Sequence, residues 1–156
     1  MKLLLLSNST LPGEPFLQWP RAHIKDFLGG AKKVAFVPYA AVTMDLDDYA
    51  HAVGKAFEEM GYELHSVHAQ QDPVKTLDEC DAIAVGGGNS FQLLRQLYST
   101  GTIRAIKERV RKGTPYIGWS AGSNVACPTI MTTNDMPITE PPSLRAMHIV
   151  PFQINP

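Results

Sequence analysis

Five short apolar runs, separated by stretches of helical periodicity, constrain this chain more than any other feature of its sequence. The runs are Leu3–Leu6, Val34–Val37, a weaker one in the segment from Tyr62 whose apolar content is Leu64 and Val67, Ile83–Val85, and Tyr116–Trp119. Each is continuous or nearly so, the pattern of a strand covered on both faces. Between the second and third runs, Leu46, Tyr49, Ala50, Val53, Phe57 and Met60 fall on one helical face. Asp45, Asp47 and Asp48 load its first turn with negative charge, and Gly61 supplies a stop. Ile103, Ile106 and Val110 repeat that logic up to Gly113, and "SFQLLRQLY" gives a further helix capped by Asn89 or Ser90. The first connection, Pro15 to Leu28, is less regular because Pro20 interrupts it. Strand and helix in alternation predict an α/β fold: a mostly parallel sheet with helices on both faces, formed by residues 1–156 as one domain. After Cys127 the chain turns to prolines and small polar residues and reads as loops, with "HIVPFQINP" as a last strand.

The charge balance excludes some partners. Fourteen basic residues face fifteen acidic ones, for a net charge of −1, which favours neither nucleic acid nor a membrane surface. Leu3–Leu6 is too short for a signal-peptide core or a bilayer span. Two cysteines without framework spacing fit a reducing cytoplasm.

Gly118-Trp119-Ser120-Ala121-Gly122 matches the G-x-S-x-G pattern, directly after the fifth run and before a segment able to open a helix. Such a serine sits on a sharp strand-to-helix turn, where its neighbours must be small. The turn carries its hydroxyl to the carboxyl end of the sheet, where ligands of open α/β folds bind. It also aims the Ala121 N–H and the start of the next helix at one point. A bland reading stands beside this one, since small residues also let a helix pack closely against a strand.

Gly86-Gly87-Gly88-Asn89 follows the fourth run. A phosphate cradle would need a glycine at Phe91 or a Walker lysine, and neither is present. Two readings remain: a tight turn, or one half of an oxyanion hole in which the Gly88 N–H joins that of Ala121. A serine nucleophile also needs a base. His51 reads as a solvated helix residue. His65 and His68 lie three apart on a strand and make a poor metal pair. His23 lies in the irregular first connection and His148 precedes an apolar run. None stands out. Asp135 is an acid in the loop after the serine, or simply a turn former.

At these residues the chain resembles peptidase E, the aspartyl dipeptidase family of serine peptidases. The matching segments are "LLLLSNST", "VPYA", "GGGNSFQLL", "YIGWSAGSN", "CPTIMTTNDMPI" and "PFQINP". The resemblance implies a fold like that of class I glutamine amidotransferases, with a serine in place of their cysteine. It implies hydrolysis of dipeptides with N-terminal aspartate, no metal or cofactor, and a cytoplasmic homodimer. It places the nucleophile on Ser120, the oxyanion donors on Gly88 and Ala121, and an acid proposed for the triad on Asp135. Asn89, Thr132 and Thr133 are expected to hold the amino or carboxylate groups of the dipeptide, and Arg95 or Arg145 is a candidate for its aspartyl side chain. In the family the catalytic histidine follows "QINP" at once, so a chain ending at Pro156 is expected to be a fragment, a cleavage product or a natural truncation. Such a chain alone is expected to be inactive or weakly active. It would present an open apolar flank and pair with a separate C-terminal fragment. The alternatives are a truncated relative that binds aspartyl ligands without cutting them, a general α/β esterase, and a partner subunit that docks through its open flank.

Overall fold

The computed structural model describes residues 1–156. Its five strands, β1 (Leu3–Leu6), β2 (Lys33–Val37), β3 (Glu63–Ser66), β4 (Ala82–Val85) and β5 (Tyr116–Trp119), fall on the five apolar runs. They form one sheet in the order β1-β5-β4-β2-β3. Every neighbouring pair is parallel. Six α-helices connect or follow them: α1 (Arg21–Leu28), α2 (Leu46–Glu59), α3 (Pro73–Glu79), α4 (Ser90–Ser99), α5 (Thr102–Arg111) and α6 (Ala121–Asn124).

Strand side chains alternate between two layers because successive residues point to opposite faces. Val34, Phe36, Ala82, Ala84, Ile117 and Trp119 face Ile24, Leu28, Val53 and Phe57 of α1 and α2. Ala35, Val37, Ile83, Val85 and Tyr116 face Leu77, Leu93, Leu94, Leu97, Ile106 and Val110 of α3, α4 and α5. This is why the runs of β2, β4 and β5 read as continuous: both of their faces are dry, whereas the edge strands β1 and β3 are only partly covered.

Three local expectations change. α3 is an added helix between the third and fourth runs. Asp72 accepts from Lys75 N–H at 3.0 Å as its cap and Pro73 opens its first turn, but only Thr76 and Leu77 are buried, so seven residues carry little periodicity. His68 lies in a 3₁₀ turn, Val67–Ala69, and not on β3. "HIVPFQINP" is not a strand. The N–H groups of Met147, His148, Ile149 and Val150 donate to carbonyls of Val125, Cys127 and Ala126, so the segment is pinned to the turn after α6 and never reaches the sheet. Pro151 and Pro156 lack the N–H a ladder requires.

Buried phenols and thiols give this core an alkaline limit. Burial pushes the Tyr49 hydroxyl up from 10.0 to about 12, a rise partly offset by the Trp119 N–H donating to it. Burial also raises Cys80, to about 11, and raises Tyr39, Tyr62, Tyr116 and Cys127. A raised phenol holds its proton more tightly folded than unfolded. Its contribution is therefore full below pH 10 and is lost as pH climbs through about 12. For Tyr49 that is about 2–3 kcal/mol. The urea midpoint is expected to fall across this window, with tyrosinate absorbance appearing in the same transition as unfolding. A midpoint that stays flat there would show that these hydroxyls are not buried.

Candidate active site

Four strand ends deliver loops to one crevice. Asn8 and Ser9 follow β1, Ala41–Met44 follow β2, Gly87–Asn89 follow β4 and Ser120 follows β5; together they line a cavity of about 480 Å³. The neighbours β2 and β4 send their chains to opposite faces, into α2 and α4, and such a divergence opens a crevice at the carboxyl end of a parallel sheet.

Ser120 has φ 51° and ψ −118°, a strained conformation for a residue with a side chain. Its N–H donates to Leu6 O at 3.0 Å, which locks the turn onto β1. The flanking glycines are obligatory. A Cβ on Gly118 would lie 2.5 Å from Gly122 O, and one on Gly122 would lie 2.0 Å from Val85 O. The helix that follows is a single turn: Ala126 and Cys127 N–H bond three residues back and Pro128 stops it, so the dipole expected at Ser120 is small.

The triple glycine lies against the serine. β4 and β5 are adjacent, with Val85 opposite Gly118, and a Cβ on Gly87 would meet Ser120 Cβ at 3.0 Å. Gly88 has φ 138°, and a Cβ there would sit 2.1 Å from Ala40 O. The N–H groups of Gly88 and Ala121 donate to no acceptor in the chain. Gly88 borders the larger cavity and Ala121 a smaller polar one of about 50 Å³; Ser120 and Asp135 border both.

Asp135 is tied to α4: its Oδ2 accepts from Ser90 N–H at 2.7 Å, and its own N–H donates to Thr133 Oγ1 at 3.1 Å. Asn89 Oδ1 accepts from Gln92 N–H at 3.0 Å as the α4 cap, and one amide proton goes to Met136 O at 2.8 Å. Thr132 Oγ1 donates to Ile154 O at 2.5 Å and accepts from Asn124 Nδ2 at 3.0 Å. Thr133 Oγ1 donates to Ser90 Oγ at 3.1 Å. These polar residues therefore fasten the loop after Pro128 to α4 and α6.

Other expected residues lie elsewhere. Arg95 donates to Thr139 at 2.8 Å, and neither Arg95 nor Arg145 lines the two cavities. His23, His51 and His148 are exposed. His65 pairs with Glu63 at 2.9 Å, and His68 with Asp47 at 2.9 Å and Ser66 at 2.6 Å. None of the five lines either cavity.

Sequence patterns did not point to Tyr49 and Trp119, which read as core yet line the larger cavity. Nor did they point to Asn124, whose Oδ1 is buried without a partner beside the smaller one. Asn155 and Pro156 also border that smaller cavity.

The model of Peptidase family S51 matches residues 3–156. The chain belongs to this family. It is 51% identical over 156 residues to the Peptidase E of Nostoc sp. (strain PCC 7120), a match covering 99% of this chain and 64% of that protein. It is 45% identical to the Peptidase E of Shigella flexneri, over 100% of this chain and 68% of the relative. The chain thus spans about two thirds of the length of these curated relatives, 64% in the Nostoc case. Among solved structures, a Listeria monocytogenes EGD-e protein provisionally assigned as peptidase E superposes with a TM-score of 0.75 at 27% identity, over 98% of this chain and 77% of that one. A peptidase from an acI-B1 Actinobacterium shares the fold, with a TM-score of 0.67 at 19% identity. The α/β architecture expected from the sequence is the one these proteins have.

Proposed function

We propose that this chain carries the nucleophile and the oxyanion donors of a serine peptidase that hydrolyses dipeptides with N-terminal aspartate. One observation carries the reading. Ser120 is held in a strained turn at the carboxyl end of the sheet, beside two backbone amides, of Gly88 and Ala121, that donate to nothing within the chain. Unpartnered amides around a strained serine suit an oxygen that becomes negative during reaction.

In this reading Ser120 Oγ attacks the carbonyl carbon of the aspartyl residue, and the carbonyl oxygen takes up the charge between the two amides. The serine proton passes to a base and then to the leaving amine as the C–N bond breaks. Water then hydrolyses the acyl-serine ester by the same relay. The base is a histidine following Pro156, as the family resemblance implies. Support comes from Asn155 and Pro156, which border the same small cavity as Ser120 and Asp135. Asp135 is then positioned to orient that histidine. Asn89 keeps one amide proton free for a substrate carboxylate, and Thr133, which already donates to Ser90, offers an acceptor oxygen to an amino group. Thr132, by contrast, lines neither cavity and is engaged with Ile154 and Asn124. The lining of both cavities includes no Lys or Arg, so the aspartyl side chain would be read by a group outside these residues. The reading extends to a homodimer in a reducing cytoplasm. Its two cysteines are free and buried, and the edge strands β1 and β3 leave unpaired backbone for association.

The full-length protein is expected to cleave Asp-Leu and to leave Ala-Leu and simple aryl esters largely untouched. Preferential ester turnover would replace the proposal with a general esterase. Aspartate binding by calorimetry without turnover would replace it with a ligand-binding relative.

A further inference from the structure

A flexible glycine loop can present an amide to a reaction only if something stops its peptides from rotating. In this chain the peptide after Gly88 is anchored by Asn89 N–H donating to Ala40 O at 2.8 Å. The peptide before it is anchored by Tyr49, whose hydroxyl donates to Gly87 O at 3.2 Å. The direction of that bond follows from chemistry. Trp119 Nε1–H can only donate, and it does so to Tyr49 Oη at 2.9 Å. The tyrosine proton is thereby left for the Gly87 carbonyl.

We propose that Tyr49 is a positioning residue for the Gly88 amide, an inference that rests on the peptidase reading above. The Gly87 carbonyl and the Gly88 N–H are opposite ends of one trans peptide plane. Holding the oxygen on Tyr49 turns the N–H away from Tyr49 and leaves it unpartnered, as observed. The contact is close: a Cβ on Gly86 would lie 2.7 Å from Tyr49 Oη, and one on Gly87 would lie 3.0 Å from Ser120 Cβ. The loop is packed against the tyrosine and the serine at once. Tyr49 is itself fixed. Its ring meets Phe36 and Phe16 edge-on, with centroids 5.3 and 6.3 Å away. The first turn of α2 that carries it is capped by Asp45 and tied through Asp47 to His68. Its raised pKa keeps the donor proton in place at neutral pH.

The test is Tyr49→Phe in the full-length protein, which keeps the ring and removes the hydroxyl. The variant is expected to lose between about 10- and 100-fold in kcat on Asp-Leu with KM within about twofold, less than the about 10²–10³-fold cost of deleting an oxyanion donor. A peptide aldehyde or boronate, which places an oxyanion between the amides, is expected to bind more weakly by the same factor, while product aspartate binds as before. Unchanged kcat and aldehyde affinity, with Ser120→Ala inactive, would overturn the positioning role and leave the peptidase reading intact. A parallel loss in product affinity and melting temperature would overturn it too, by reducing Tyr49 to a core residue. If the wild-type protein cleaves no dipeptide, the peptidase reading fails separately. Amide exchange at Gly88 then decides: accelerated exchange confined to Gly87–Asn89 in Tyr49→Phe supports the anchor, and unchanged exchange removes it.

Discussion

On the peptidase reading, Ser120→Ala in the full-length protein is expected to reduce kcat/KM for Asp-Leu by at least about a thousand-fold, and by up to about a million-fold, leaving only what the proposed oxyanion amides and binding provide. The melting temperature is expected to stay close to wild type. Alanine keeps the Cβ, so the strain at φ 51° is unchanged, and the hydroxyl makes no hydrogen bond inside the chain whose loss would matter. Ser120→Gly separates the two properties more sharply. Glycine enters this backbone region without steric cost, so the variant is expected to be equally inactive yet more stable by about 1 kcal/mol. Activity retained in either variant would remove Ser120 from the chemistry. A glycine variant no more stable than alanine would mean that the turn is not strained.

Gly122→Ala is expected to be among the most damaging single methyl additions in the chain. The added carbon would sit 2.0 Å from Val85 O and 2.8 Å from Val85 C. Both are backbone atoms of a strand buried on both sides, so neither can swing away. α6 must lift off β4, at a cost of about 3 kcal/mol or more. The same displacement moves the Ala121 amide, so turnover is expected to fall with stability. Gly30→Ala is the control: nothing lies within 4 Å of its Cβ, and its urea midpoint is expected to shift by no more than about 0.5 kcal/mol equivalent. Similar midpoints for the two variants would contradict the packing of α6 against β4.

The five strands, the parallel sheet and the helices on both faces were legible because each rests on local chemistry. Continuous apolar runs require two covered faces, and the 3.6-residue period of α2, α4 and α5 requires one. The G-x-S-x-G motif was legible for the same reason, since the small residues it demands are neighbours in the chain. α3 and the false strand at "HIVPFQINP" were not legible. The first is too short to show a period. The second is apolar because Ile149 and Val150 pack on the turn after α6, a partner that no window of sequence contains.

By itself, then, the sequence determined the five segments that form the sheet, though not that a sixth apolar segment stays out of it, together with where the serine turn falls and that glycines must stand beside it. Only the tertiary structure decided that β4 lies next to β5, and so brings the triple glycine against Ser120. It alone showed that Tyr49, read as an ordinary core position on α2, carries the hydroxyl that anchors Gly87. The reason is one of distance along the chain. Periodicity and turn chemistry act over a few residues, whereas the contacts that build the site join residues 6, 49, 87 and 120, and only the closing of the sheet brings these together.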